Sequence, residues 1–163
     1  MPGFDPLIGQ EPKILILGSM PGQKSLVESQ YYAHPQNAFW WIMGCLIGFD
    51  SGISYEQRCR YLLTSKFAVW DVLNDCVREG SLDRNIQKAS EQSNDFSEFL
   101  MKVPTIQMIA FNGQAAHKIF MRHWSELFER FDRLQWCQLP STSPAHASLT
   151  KEEKLNAWRV ALT

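Results

Sequence analysis

Apolar residues along the chain fall into four short runs and several stripes of helical period. Residues 13–17, Lys-Ile-Leu-Ile-Leu, are a short, mainly apolar run with β-branched content that stops abruptly at Gly18, the pattern of a buried strand. Residues 67–72, 106–111 and 134–139 predict three further strands of similar length. Between them the period lengthens. Residues 38–48 are apolar nearly all round, as in a helix buried on several sides. Ser54 with Gln57, and Thr150 with Glu153, have the spacing of capping boxes. The first precedes a face of Tyr55, Cys59, Leu62 and Leu63, the second a face of Leu155, Trp158 and Leu162. Phe96, Phe99, Leu100 and Val103 recur at helical spacing up to Pro104, which cannot continue a helix, and Ala116, Ile119, Phe120 and His123 mark another face. Residues 74–85 read as a polar loop.

The resulting order, β-α-α-β-loop-α-β-α-β-α, specifies a parallel sheet with helices on both faces. Each strand ends in a polar residue or cluster: Ser19, Asp71, Asn112 and Ser141. Ligands of open α/β sheets bind outside the carboxyl ends of the strands, so four such groups at one edge define one cleft. The stretch 18–40, GSMPGQKSLVESQYYAHPQNAFW, carries an unusual number of polar tips among its rings and is read as the floor of that cleft.

Composition narrows the choice of partner. The 163 residues suit one globular domain, and a net charge of −1 provides no global basic field for a nucleic acid. A local rim would have to serve, for which Lys24, Arg78, Arg84 and Lys88 are candidates. The four cysteines form no CxxC pair and no zinc or iron–sulfur spacing, which suits free thiols in a reducing cytosol. No signal peptide opens the chain, and no apolar run is long enough to span a bilayer; a cytoplasmic protein without membrane contact is expected. Residues 18–25, GSMPGQKS, approach a phosphate-binding P-loop. However, Gln23 stands where a glycine should precede the lysine, and Pro21 removes a backbone N–H, so a P-loop-like nucleotide hydrolase is disfavoured.

Four segments in this order, GSMPGQKSL…QYYAHPQNAFW, WDVL…CVREGSLD, IAFNG and LPSTSPAH, resemble the uracil-DNA glycosylase superfamily. Within it they are most similar to the hypoxanthine-DNA glycosylase branch, a neighbour of the mismatch-specific uracil/thymine glycosylases. The resemblance covers almost the whole chain. It implies an α/β fold, a three-layer α/β/α sandwich with a central four-stranded parallel sheet, as a single domain over 1–163. It implies a monofunctional DNA glycosylase that flips a deaminated base, hypoxanthine first and uracil second, and hydrolyses its N-glycosidic bond. DNA carrying that base is the partner, no metal or organic cofactor is required, and the chain is expected to be a monomer, associated with the nucleoid when bound.

The resemblance also distributes roles. Asn37, in the HPQN segment, is the catalytic candidate: it holds the attacking water or binds the leaving base, or else it only caps the helix that follows. Met20 occupies the first-loop position where the mismatch-specific relatives carry a water-positioning asparagine, and a thioether cannot activate water. That departure keeps open a catalytically weak lesion-binding protein of the same fold. His34 is a second catalytic candidate or a turn residue. Phe39 is the expected stacking platform for the base, with a core phenylalanine as the alternative. Asn112 is the expected base reader, since an amide offers both a donor and an acceptor. Ser19, Met20 and Tyr32 complete the base-binding set. Gly22 and the loop of Ser141, Thr142, Ser143, Pro144, Ala145 and His146 are expected to meet DNA, the hydroxyls at phosphates and Pro144-Ala145 as a wedge in the minor groove. Asp71 is taken to be structural, holding cleft loops by hydrogen bonds.

Overall fold

The structure is a computed structural model and describes residues 2–163. Its strands are β1 Ile14–Gly18, β2 Phe67–Asp71, β3 Leu73–Asp75, β4 Gln92–Ser93, β5 Met108–Asn112 and β6 Gln135–Leu139. The helices are α1 Gln23–Glu28, α2 Phe39–Ile47, α3 Tyr55–Leu63, α4 Phe96–Lys102, α5 Gln114–Trp124, α6 Leu127–Arg130 and α7 Lys151–Leu162. Four strands form the expected parallel sheet in the order β2-β1-β5-β6.

Alternation along the strands divides the core in two, because successive side chains of a strand point to opposite faces. Leu15, Leu17, Ala68, Ile109 and Phe111 face one way and meet Phe96, Phe99, Phe120 and Leu127 from α4, α5 and α6. Ile14, Ile16, Val69 and Ala110 face the other way and meet Phe39, Trp40, Leu62 and Trp158 from α2, α3 and α7. A strand buried on both faces must be apolar throughout, as β1 is.

Both capping boxes form, Ser54 with Gln57 and Thr150 with Glu153. The third strand of the main sheet starts later than its apolar run, because the Ile106 N–H closes a turn onto the Val103 carbonyl and pairing begins with Gln107 on Lys13. The expected polar loop 74–85 belongs to a longer excursion. Within it β3 and β4 pair antiparallel, and two short 3-10 turns stand at Asp83–Asn85 and Lys88–Ser90. The excursion folds back over the carboxyl end of the sheet and forms one wall of the cleft.

Candidate active site

The carboxyl ends of all four parallel strands open into one cavity of about 280 Å3, close to the small end of the range for small-ligand sites (about 300–1,000 Å3). Ser19, Asp71, Asn112 and Ser141 all line it, as their strand-end positions require. Gly18 pairs with Asp71 across β1 and β2. A Cβ on Gly18 would lie 2.5 Å from Asp71 Oδ1 and 3.0 Å from the Tyr32 hydroxyl, so only glycine lets these groups approach the end of β1.

The loop between α1 and α2 forms the floor. Tyr31 is anchored rather than free: its hydroxyl donates to the Asp5 carbonyl at 2.8 Å, and its own carbonyl accepts from the Trp40 indole at 2.8 Å. The next residue, Tyr32, takes a left-handed backbone with φ of 54°. This turns its ring onto Phe39, with centroids 4.0 Å apart and planes at 23°. Phe39 is 0% exposed and does not line the cavity; Tyr32 does. The expected platform is therefore corrected in position. Phe39 supports a second ring, and the aromatic surface that faces the cavity is Tyr32.

Asn37 lines the cavity, and its Oδ1 accepts from the Phe39 N–H at 3.0 Å. The N-cap of α2 is Ala38, without a side-chain cap bond, so Asn37 closes a local turn just before the helix and stays in the cleft. One lone pair of Oδ1 and the NH2 group remain for a ligand. His34 also lines the cavity, and its Nδ1 accepts from the Gln36 N–H at 3.1 Å. The neutral ring then carries its proton on Nε2, which is the only donor it can offer.

Asn112 meets the fourth loop. Its Nδ2 donates to Thr142 Oγ1 at 3.0 Å and its Oδ1 accepts from the Thr142 N–H at 2.9 Å. Each end of the amide retains capacity for one further bond toward the cavity. The loop is held from behind as well. The Trp158 indole donates to the Pro140 carbonyl at 2.9 Å, and the half-hidden Lys154 ammonium donates to the Ser143 carbonyl at 3.1 Å. Burial keeps that ammonium below the ordinary lysine range. Ser141 and Ser143 accept from the N–H groups of Ser143 and Ala145, at 3.1 Å each, which leaves both hydroxyl protons available. Pro144 and Ala145 are exposed at the cavity rim. His146 is not among the lining residues; its Nε2 lies 3.5 Å from Ser148 Oγ, outside the cavity.

The wall opposite carries the excursion. Ser19 Oγ donates to Asp83 Oδ1 at 2.6 Å, so its hydroxyl already has a partner. Arg78, expected in a basic rim, is a tether: it donates to the Pro21 carbonyl at 2.6 Å and the Gly80 carbonyl at 3.1 Å. Gly22 caps α1 and lines the cavity, while Lys24 pairs with Glu28 at 2.9 Å. Met20 is buried against the cavity.

Asp71 holds a cleft loop as expected, but through its backbone and not its side chain. The neighbouring loop is held by its backbone carbonyl, which accepts from Asn94 Nδ2 at 2.8 Å. The side-chain Oδ2 is buried without a partner. Loss of water first, and then the nearby Asp83 charge, push its pKa up to about 7, with Arg78 opposing. In the unfolded chain the group titrates near about 3.9. Its contribution to stability is therefore fully present below about pH 4 and is lost as pH rises toward about 7, because the unfolded state releases the proton first. Asp71→Asn should flatten this part of a thermal-stability profile and raise the melting temperature more at pH 8 than at pH 4.

An open parallel sheet with one compact polar cavity, walled by paired aromatics and two amides, is the frame of an enzyme that encloses a flat heterocycle. Comparison with known proteins gives that frame its family. The uracil DNA glycosylase superfamily matches residues 6–162, and the chain belongs to it. A hypoxanthine DNA glycosylase of Methanosarcina barkeri is 41% identical over 113 residues, covering 69% of this chain and 70% of that protein. Its namesake from Methanosarcina acetivorans is 38% identical over 115 residues, covering 70% and 72%. The solution NMR structure of a candidate uracil DNA glycosylase from Methanosarcina acetivorans superposes with a TM-score of 0.79 at 32% identity, over 98% of this chain and 96% of that one. The protein is a DNA glycosylase of DNA repair, a hydrolase of N-glycosyl bonds, and its substrate is DNA. Among the described residues no helix is long and apolar enough to cross a membrane.

Proposed function

We propose that this chain excises hypoxanthine from DNA in preference to uracil, acting as a monomer. The placement of Asn37 carries the reading: it stands in the cavity while Met20 occupies the first-loop position. The flipped base lies against the Tyr32 ring, itself supported by Phe39. The free donor and acceptor of Asn112 read the base edge. Ser141, Thr142 and Ser143 hold the flanking phosphates, and Pro144-Ala145 enters the space the base has left.

In the bond-breaking step the sugar becomes cationic as the base departs with the bonding electrons. Water attacking such a carbon needs orientation more than deprotonation. The remaining lone pair of Asn37 Oδ1 accepts from that water, which points its oxygen at C1′, and the water proton is released as the bond to carbon forms. His34 Nε2–H donates to the leaving base or to a phosphate beside it. Incubation with duplexes carrying hypoxanthine or uracil opposite each normal base, followed by alkaline cleavage of abasic sites, tests the reading. Release of hypoxanthine with slower or no release of uracil is expected. Lesion-specific binding without release of any base would overturn it and make the chain a lesion reader.

A further inference from the structure

Asp71 has a position that binding alone does not explain. It is 4% exposed, at the carboxyl end of β2, and lines the cavity directly beside Gly18. β1 separates β2 from β5, so Asp71 and Asn112 flank the end of the central strand on its two sides. Oδ2 is buried with no hydrogen-bond partner, and the Tyr32 hydroxyl beside it on the cavity is unpaired as well. An unpaired buried polar atom is costly unless a ligand completes it.

We propose that Asp71 is a catalytic acid, a neutral carboxyl group that hydrogen-bonds to N7 of the flipped purine and transfers its proton there as the C1′–N9 bond breaks. This rests on the assignment of the cavity to the flipped base. The bonding pair of C1′–N9 stays with the base, N7 gains the Asp71 proton, and hypoxanthine departs neutral. Water adds through oxygen to C1′, and the proton it releases restores the Asp71 carboxyl group. No electrons change hands between molecules, and no co-reactant is needed.

The surroundings favour the neutral acid before the reaction. From the excursion, Asp83 presents a carboxylate held by Ser19 at 2.6 Å, and Arg78 is committed to two backbone carbonyls. From the floor, Tyr31 and Tyr32 present phenols whose ionisation burial pushes well above the ordinary range, so they stay neutral. The acid also supplies selectivity. N7 belongs to the five-membered ring of purines, and uracil has no equivalent nitrogen. A purine therefore leaves with help that uracil cannot receive, even though Met20 stands where related enzymes orient water.

The test is the single-turnover rate of hypoxanthine release between about pH 5 and pH 9, for the wild type and Asp71→Asn. The wild-type rate should fall as pH rises through about 7. Asp71→Asn keeps a donor but has no transferable proton. It should bind a non-hydrolysable 2′-fluoro duplex as well as the wild type, release hypoxanthine about a hundredfold or more slowly at pH 6, and lose the pH dependence. With the wild-type protein alone, replacing hypoxanthine by 7-deazahypoxanthine in the 2′-fluoro duplex should weaken binding several-fold. Hypoxanthine release with an unchanged pH profile in the variant, or binding indifferent to the loss of N7, would overturn the acid while leaving the glycosylase intact. A wild type that releases no hypoxanthine at any pH would overturn the assignment of the cavity and the acid with it.

Discussion

Asn37→Ala should release hypoxanthine at least about a hundredfold more slowly than the wild type, with binding to the lesion duplex retained. The size follows from losing a preorganised hydrogen-bonding group at a reacting centre, typically about 10²–10³-fold. The same substitution removes the acceptor of the Phe39 N–H at 3.0 Å, so part of any effect could come from a loosened start of α2. A single turn bond of this kind contributes about 1 kcal/mol. Asn37→Ser separates the two contributions, because its hydroxyl can restore the turn bond but cannot reproduce the amide's second group. Recovery of melting temperature without recovery of rate would place Asn37 at the reacting atoms. Recovery of both would reduce it to a turn residue.

Gly18→Ala should be nearly as damaging by another route. Its added methyl carbon would stand 2.5 Å from Asp71 Oδ1 and 3.0 Å from the Tyr32 hydroxyl, so at least one of these two cavity-lining groups must shift. Overpacking of this kind costs about 1–3 kcal/mol. Whatever relaxes moves either the carboxyl group or the ring that faces the cavity. A loss of about 1–3 kcal/mol in denaturant unfolding, together with base release slowed by about tenfold or more, is the expected result. A fully active and stable variant would show that the end of β1 is not a constraint on the cavity.

Much of this arrangement is legible in the amino-acid order. The apolar run of β1 and its stop at Gly18 predict a strand buried on both faces, and the strand-end residues Ser19, Asp71, Asn112 and Ser141 do meet in one cavity. Both capping boxes are local patterns, and each forms where its residues predict. What escaped is either short or three-dimensional. Helix α1 buries only Ser25, so it has no apolar stripe to announce it. β3 and β4 are too short for an alternation to register. The exchange of Tyr32 for Phe39 at the cavity depends on one left-handed residue in a loop, for which tyrosine gives no warning. The state of Asp71 depends first on its burial and then on Asp83, twelve positions along a loop whose return path only the fold determines.

The excursion between β2 and α4 divides labour within the cavity. The polar cavity groups Asp71, Asn112 and Asn37 stand on or beside the sheet and its packed helices, whereas Ser81, Leu82 and Asp83 bound the space from a segment fixed by the Ser19–Asp83 bond and the reach of Arg78 to Pro21. Lengthening or exchanging that segment would change which heterocycles fit without disturbing the sheet. Breadth of substrate and competence in bond cleavage are thus separable properties in this architecture, open to independent variation by natural change or by grafting.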